Sequence, residues 1–405
     1  MISIGASDRT DTIQAAGEAA RMALDRLGPG ESIGWALAFV GGRHDPAEML
    51  HALQARLGEV PIVGGAAVGT ITHQAIGYSG YECALAAFPS SLPAPTIVVE
   101  SHLDEDEQEA GRRLGEKLCE AASEEGTALL FYDSIRSGPP PVLNVGSRLL
   151  EGIYAGLAGK SVTLIGAGTV SDFQLTQSFV YDGSQPIKHA VVAVVLPQAL
   201  RAHTAIMHGC IPVSSFMEIT RVEGAVVYEL DGQPALDVLH RMLGEGEHDW
   251  QTDNLSLNVT LGQKHGDLFA PYDEECYVNR LIIAANAEDA SLTLFEADFE
   301  VGSKVQIMSR DNQLMLDSVK AQTSRLVDSL GGEKPVFALY IDCAGRSSAF
   351  CGASVEEASV LQDALPADLP LVGFYSGVEI APLVGQSRPL DWTGVLTLFT
   401  GGGAG

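Results

Sequence analysis

The sequence predicts a mixed α/β fold: repeated helix–strand–helix–strand–strand units forming layered sandwiches in two parts. Three observations carry this. One order of elements recurs three times along the 405 residues. Each recurrence contains an apolar strand, a glycine and then a run of small residues. Between the second and third recurrences, roughly 219–310, lies a stretch of different character, rich in strands and tight turns.

The first unit reads as a helix near 9–27, strand GWALAFV (34–40), helix 45–57, strand VPIVGGAAVGTI (60–71) and strand CALAAF (83–88). The second reads as helix 104–124, strand TALLFY (127–132), helix 141–157, strand SVTLIGAGTVSD (161–172) and strand VVAVVL (191–196). The third reads as helix 311–330, strand VFALYIDC (336–343), helix 354–364, strand LPLVGFYSGVEI (369–380) and strand GVLTLF (394–399). Gly64, Gly166 and Gly373 occupy matching places, where glycine lets the backbone turn or a ligand come close. In LDEDEQEAGRRLGEKLCEAA the acids crowd the first turn and the bases follow, the order a helix dipole favours. Helices mixed with crossover and adjacent strands argue for repeated α/β layers rather than one dinucleotide-binding domain.

In the divergent stretch, EITRVEGAVVYELDGQPALDVLHRML reads as strand, Glu-Gly turn, strand, Asp231-Gly232 turn and a helix entered near Pro234. The boundary is expected at 220–230. This gives an N-terminal part, 1–220, holding two units at about 9–100 and 104–205. A C-terminal part spans 221–400, and 401–405 is read as a flexible tail.

A net charge of −28 argues against nucleic acid and against an anionic membrane surface. No apolar run reaches membrane-spanning length, the longest being Ala190 to Leu196. The start, MISIGASDRTDTIQ, lacks the basic and apolar regions of a secretory signal. Cys83, Cys119, Cys210, Cys276, Cys343 and Cys351 are scattered with no CxxC pair, against a disulfide framework or structural zinc. A cytoplasmic protein is expected.

GCIPVSSFMEIT, ELDGQPAL, CAGR (343–346), GFYSGVEIAP and VPIVGGAAVGTI together resemble the FIST family of intracellular signal-transduction sensory domains. GCIPVSSFMEIT resembles the family's Gly-Cys-x-Pro segment, and ELDGQPAL the start of its C-terminal part. Cys343-Ala344-Gly345-Arg346 and GFYSGVEIAP resemble two C-terminal motifs, and VPIVGGAAVGTI the N-terminal signature. The likeness covers about 30–400. Two departures stand out: Val378 is inserted between Gly377 and Glu379, and Pro212-Val213-Ser214 stands where the family often has Pro-Ile-Gly. The resemblance implies a sensor of a small ligand or cofactor. Its implied partner is a separate histidine kinase or chemotaxis protein, and a homo-oligomer is allowed. The nitric-oxide-sensing NosP subset of the family binds haem b, which makes a haem-based nitric oxide sensor the most specific expectation.

Haem needs an axial donor and an apolar slot. His208, at a strand end beside Gly209, is the candidate, with Cys210 as the alternative and Arg346 as a cation for the propionates. His203 is five residues away and faces the opposite side of a strand. A second reading uses Arg346 to hold a carboxylate and Glu379 to hold an amine, an amino-acid-like ligand site. Gly345 exposes backbone N–H groups there, and Tyr375 with Phe374 makes a wall. The alternative is an Arg346–Glu379 salt bridge closing two loops. A third reading makes Cys343 the nucleophile of a cysteine-dependent enzyme, which requires a nearby base. GAGTVS (166–171) imitates a dinucleotide fingerprint, but Ser171 replaces the third glycine and no helix is expected after it. His240, His248, Asp249, Asp253 and His265 match no zinc spacing and read as a surface loop.

Overall fold

The computed structural model describes residues 1–28, 30–243 and 258–401. His248, Asp249, Asp253 and residues 402–405 lie outside them. Among the described residues no helix is long and apolar enough to cross a membrane.

Each unit begins with a strand that the sequence pattern did not reveal: Ser3–Ser7, Thr96–Ser101 and Leu200–Met207. A helix follows the first two at once, and the third after an insertion. Asp11, Asp106 and Asp311 cap these helices, each carboxylate accepting N–H groups of the first turn. Then come a central strand, a second helix, a parallel central strand, a hairpin and a last strand. The first unit's central strands pair in parallel from Ala36↔Ile62 to Gly41↔Ala67. The second unit's run from Val162↔Gly126 to Thr169↔Asp133, and the third's from Ala338↔Leu371 to Cys343↔Ser376.

No unit completes its own sheet. The first sheet ends with strands Val180–Gly183 and Pro186–Ile187 of the second unit. The second sheet ends with Val378–Leu383 and Gln386–Leu390 of the third. The third ends with Thr70–Thr72 and Ile76–Gly77 of the first, closing the circle. The inner faces share one core around Phe39, Phe131 and Phe374, with Phe39 stacked on Phe374 at 3.9 Å between centroids. Helix pairs cover the outer faces. Strand Leu200–Met207 lies in the sequence stretch of the second unit, yet it pairs with Gly394–Gly401 in the third sheet.

The three aligned glycines sit mid-strand, not at strand ends. They pair in register with Ala38, Leu130 and Tyr340. A Cβ at Gly64, Gly166 or Gly373 would lie 2.3, 1.8 or 2.5 Å from those residues' carbonyl oxygens. The neighbouring backbone claims the space.

The divergent stretch folds into a closed antiparallel barrel inserted between strand Leu200–Met207 and helix Asn312–Ser329. Lys304–Ser309 pairs with both Met217–Glu223 and Val259–Lys264, which closes the ring. Asp231 and Gly232 both have positive φ and make the expected tight turn. The helix entered after Pro234 runs Ala235–Leu243. Residue 220 falls inside strand Met217–Glu223.

Substituting Gly166→Ala forces a methyl against the Leu130 carbonyl and should cost about 2–3 kcal/mol of unfolding free energy. Gly17→Ala, in an open position of helix Thr12–Leu24, should stabilise by up to about 1 kcal/mol. Urea unfolding of the two variants checks both signs.

Candidate functional site

In sheets with parallel central strands, ligand sites gather beyond the strands' carboxyl ends. Here the carboxyl ends of Val162–Thr169, Pro335–Cys343 and Leu371–Ser376 open onto a cleft of about 320 Å³. Val170, Phe173 and Leu175 come from the second unit, and Cys343, Gly345, Phe350, Ser376 and Trp392 from the third. The barrel contributes Leu281, Ile282, Ile283 and Phe295, and Arg310 where it returns to the third unit. Leu175 and Trp392 both hold positive φ, 56° and 55°. Large side chains are rarely found there, and such strain tends to collect at binding sites.

The cleft's cation is Arg310. Its guanidinium carbon lies 3.2 Å from the Trp392 ring centroid. Burial lowers its pKa to about 10, so it is protonated at neutral pH. Cys343 and Gly345, expected at a site, do line the cleft. Burial pushes the Cys343 thiol well above its usual range, the opposite of what a nucleophile needs. Asp172 also lines it, but its oxygens accept from Ser171, the Gln174 and Thr176 N–H groups and the Thr176 hydroxyl.

The Arg346–Glu379 pairing does not form, as ligand site or as loop closure. Arg346 is fully buried; Nε donates to Glu357 at 2.9 Å and Nη2 to the same carboxylate. Asp342 lies 3.3 Å from Nε. Nη1 donates to the carbonyls of His208 at 3.1 Å and Trp392 at 3.0 Å. Glu379 instead accepts from the Ser376 hydroxyl at 2.7 Å and the Thr393 N–H. Burial raises the carboxyl pKa of Asp342, Glu357 and Glu379. Tyr375 is buried and donates to Glu356, so it walls nothing. Sequence spacing could not show that Glu357, on helix Glu357–Ala364, takes Arg346 first.

His208 does not fit a haem. The Cys210 N–H donates to Nδ1 at 2.9 Å, so Nε2 carries the proton and donates to the Glu274 carbonyl at 3.0 Å. The ring is buried with both nitrogens used, and burial lowers its pKa. Gly209 makes no slot, because the Leu314 backbone already fills the space beside it. Cys210 is buried too, its thiol pushed up to about 11 by burial. Among the described residues no group of three His, Cys, Asp or Glu side chains is placed to hold a metal ion. No helix follows Ser171, only a loop and then strand Val180–Gly183.

Sequence reasoning missed Arg310, Trp392, Asp342 and Glu357. Arg310 precedes the capping Asp311 in a helix-start context, and nothing local marks it as a cleft residue. The barrel docks through three buried charges. Glu274 accepts from the His208 and Gly209 N–H groups and from Ser318 and Gln322 of the third unit. Glu296 accepts from the Gly146 and Ser147 N–H groups at a helix start of the second. Arg280 pairs with Asp298, donates to the Pro389 carbonyl and lies 3.5 Å from Asp391.

The chain matches the FIST N domain over residues 34–233 and the FIST C domain over 235–382. Uncharacterized proteins of Mycobacterium tuberculosis strains CDC 1551 and H37Rv are each 25% identical over 404 residues, covering 98% of this chain and 99% of theirs. An uncharacterized protein of Mycobacterium bovis is 26% identical over 209 residues, 52% of this chain and 53% of its own. Among solved structures, a cyanuric acid hydrolase from A. caulinodans is similar at TM-score 0.37 and 9% identity, covering 99% of both chains. A chorismatase is similar at TM-score 0.35 and 6% identity, covering 93% of this chain and 95% of its own. These two likenesses are too distant to assign a reaction.

Arg346→Met leaves Asp342 and Glu357 buried without their cation and should cost about 3–5 kcal/mol in urea unfolding. Asp391 has its carboxyl raised to about 7, chiefly by burial. Between that value and its ordinary range the folded state binds a proton the unfolded chain releases. Its contribution to stability therefore grows as pH falls from about 7 and is lost as pH rises through 7. Asp391→Asn should flatten, without abolishing, the rise in urea midpoint between pH 8 and pH 5.5. An unchanged slope would place the titration elsewhere.

Proposed function

The chain belongs to the FIST family, whose domains are sensory and ligand-binding, and from that premise we propose that it is a sensor whose small-molecule ligand enters the cleft at Arg310, Trp392 and Cys343. The observation that carries this reading is the cleft's ownership. Its walls come from the second unit, the third unit and the barrel together. A ligand touching all three biases how the barrel sits on the other two, provided the arrangements differ in affinity for it. Displacing the barrel has a cost, because Glu274, Glu296 and Arg280 are buried charged groups with hydrogen-bond partners on the other units.

Binding without covalent chemistry is favoured over a cysteine enzyme. The Cys343 thiol is held neutral by burial, and its Sγ lies among apolar walls. The amino-acid reading at Arg346 and Glu379 has no support, since each is consumed by an internal partner. The haem reading has none either, for the reason given at His208.

Hydrogen exchange with and without a small-molecule extract of cells tests the proposal. Protection should rise jointly in 170–177, 277–286 and 344–351. Protection rising only elsewhere, or not at all, would move the sensor site away from the cleft.

A further inference from the structure

Four carboxyl groups gather behind the turn Ala344–Arg346, and three of them are ringed by hydrogen-bond donors. Glu357 accepts from Arg346 Nε at 2.9 Å, from Arg346 Nη2 and from the Tyr340 hydroxyl at 2.7 Å. Glu356 accepts from the Tyr78 and Tyr375 hydroxyls and the Ser348 N–H. Glu379 accepts from the Ser376 hydroxyl and the Thr393 N–H. Asp342, the fourth, is fully buried, and neither of its carboxyl oxygens has a hydrogen-bond partner.

Arg346 does not supply the missing donor. Its Nε lies 3.3 Å from Asp342, but Nε carries one hydrogen and Glu357 takes it. Nη1 is turned to the carbonyls of His208 and Trp392. An ionised Asp342 would have lost its water without replacement, beside a guanidinium that Glu357 already neutralises. The acid form avoids that cost, since it carries no charge.

We infer that Asp342 is held as the neutral acid and serves as a pH latch. Losing its proton to water sets a second anion against Arg346, and Nη1 then turns from the carbonyls of His208 and Trp392 toward Asp342. His208 stands where the chain enters the barrel and Trp392 on the cleft wall, so ionisation loosens both together.

The other titratable groups that face Asp342 leave this role to it. On its own strand burial pushes up the Tyr340 phenol and the Cys343 thiol, and on the neighbouring strand the Tyr375 phenol, so all three stay protonated. Burial also raises Glu357 and Glu379, but the donors around each favour its charged form. On the other side Asp342 pairs with Gly394, which has no side chain. His208, beside Arg346, is kept neutral by burial. Asp342 itself is shifted upward, first by burial and then by Glu357. A carboxyl raised in the folded state contributes stability that is complete below its ordinary range and lost as pH rises through the folded value. The latch therefore opens on the alkaline side.

Infrared spectroscopy of the full chain, grown with aspartate isotope-labelled at its side-chain carboxyl, tests the protonation state. A protonated-carboxyl band from labelled aspartate should persist at about pH 8.5, where Asp391, raised to about 7, is mostly ionised. Asp342→Asn should remove that band. Hydrogen exchange, corrected for its intrinsic pH dependence, reads the latch. From about pH 7 to about pH 10, exchange in 206–212 and 344–351 should speed up by as much as about 10-fold per pH unit, the slope of one released proton. Helix Thr12–Leu24 should keep its protection. Asp342→Asn, uncharged at every pH, should abolish the slope.

No aspartate band at that pH, or one that Asp342→Asn leaves in place, overturns the neutral acid. A band that the variant removes, with an exchange slope that it keeps, overturns the latch. If Asp342→Asn does not fold, the wild-type chain decides: the band and the exchange slope must titrate at one pH, and two different midpoints overturn the proposal. None of these outcomes depends on what the cleft binds.

Discussion

The constraint on which the rest depends is that each sheet is finished by a hairpin from another unit. The first borrows from the second, the second from the third and the third from the first. No unit can bury the edge of its second central strand alone, and an unpaired strand edge is costly and sticky. The three inner faces must therefore assemble together, around the Phe39–Phe131–Phe374 contact. The aligned glycines belong to the same constraint. They let the paired central strands run close enough that a methyl group would strike the neighbouring carbonyl.

The barrel inherits its position from this frame. It enters after strand Leu200–Met207 and leaves at helix Asn312–Ser329, both in the third unit. Two covalent tethers set it over one unit's carboxyl ends, and Glu296 reaches across to the second unit. Arg346 completes the arrangement from below. One nitrogen holds the carbonyls of both His208, at the barrel's entry, and Trp392, on the cleft wall. Its strongly perturbed carboxylate neighbours have the look of catalytic groups, but perturbation also marks buried structural networks. Geometry decides: Arg346 faces its partners and not the cleft, so it positions Trp392 and touches no ligand.

The repeat was legible because each unit carries its own apolar strands and helices in a fixed order. The hairpin at Asp231-Gly232 was legible because both residues adopt the left-handed backbone that this pair tolerates. What stayed hidden was non-local. The strand Thr96–Ser101 has an exposed and half-buried face that mimics a linker. The borrowed hairpins pair with strands far away in sequence, which no periodicity reports. His208 misled for a physical reason. A glycine beside a histidine suggests room for a ligand, but the room at Gly209 is taken by the backbone of helix Asn312–Ser329. Arg346 and Glu379 misled because both follow strand ends, and strand ends are crowded with nearer carboxylates.

The same register sets the third unit's strand end apart from the other two. Gly41, Asp133 and Cys343 occupy equivalent places, three residues beyond the partners of the aligned glycines. At Asp133 the strand end is sealed, because its carboxylate accepts the N–H groups of Ile135 and His189. At Gly41 the backbone of Gly80 presses so close that no side chain fits. At Cys343 neither seal exists. The small turn Ala344–Arg346 is pulled inward by Glu357, and the barrel supplies a roof instead of a plug. The repeats therefore provide three equivalent strand ends, and over the third unit's the insertion supplies part of the wall. Leu281, Ile282, Ile283 and Phe295 come from the barrel and have no counterpart in the repeats, so this wall is the one the repeated frame could not have built by itself.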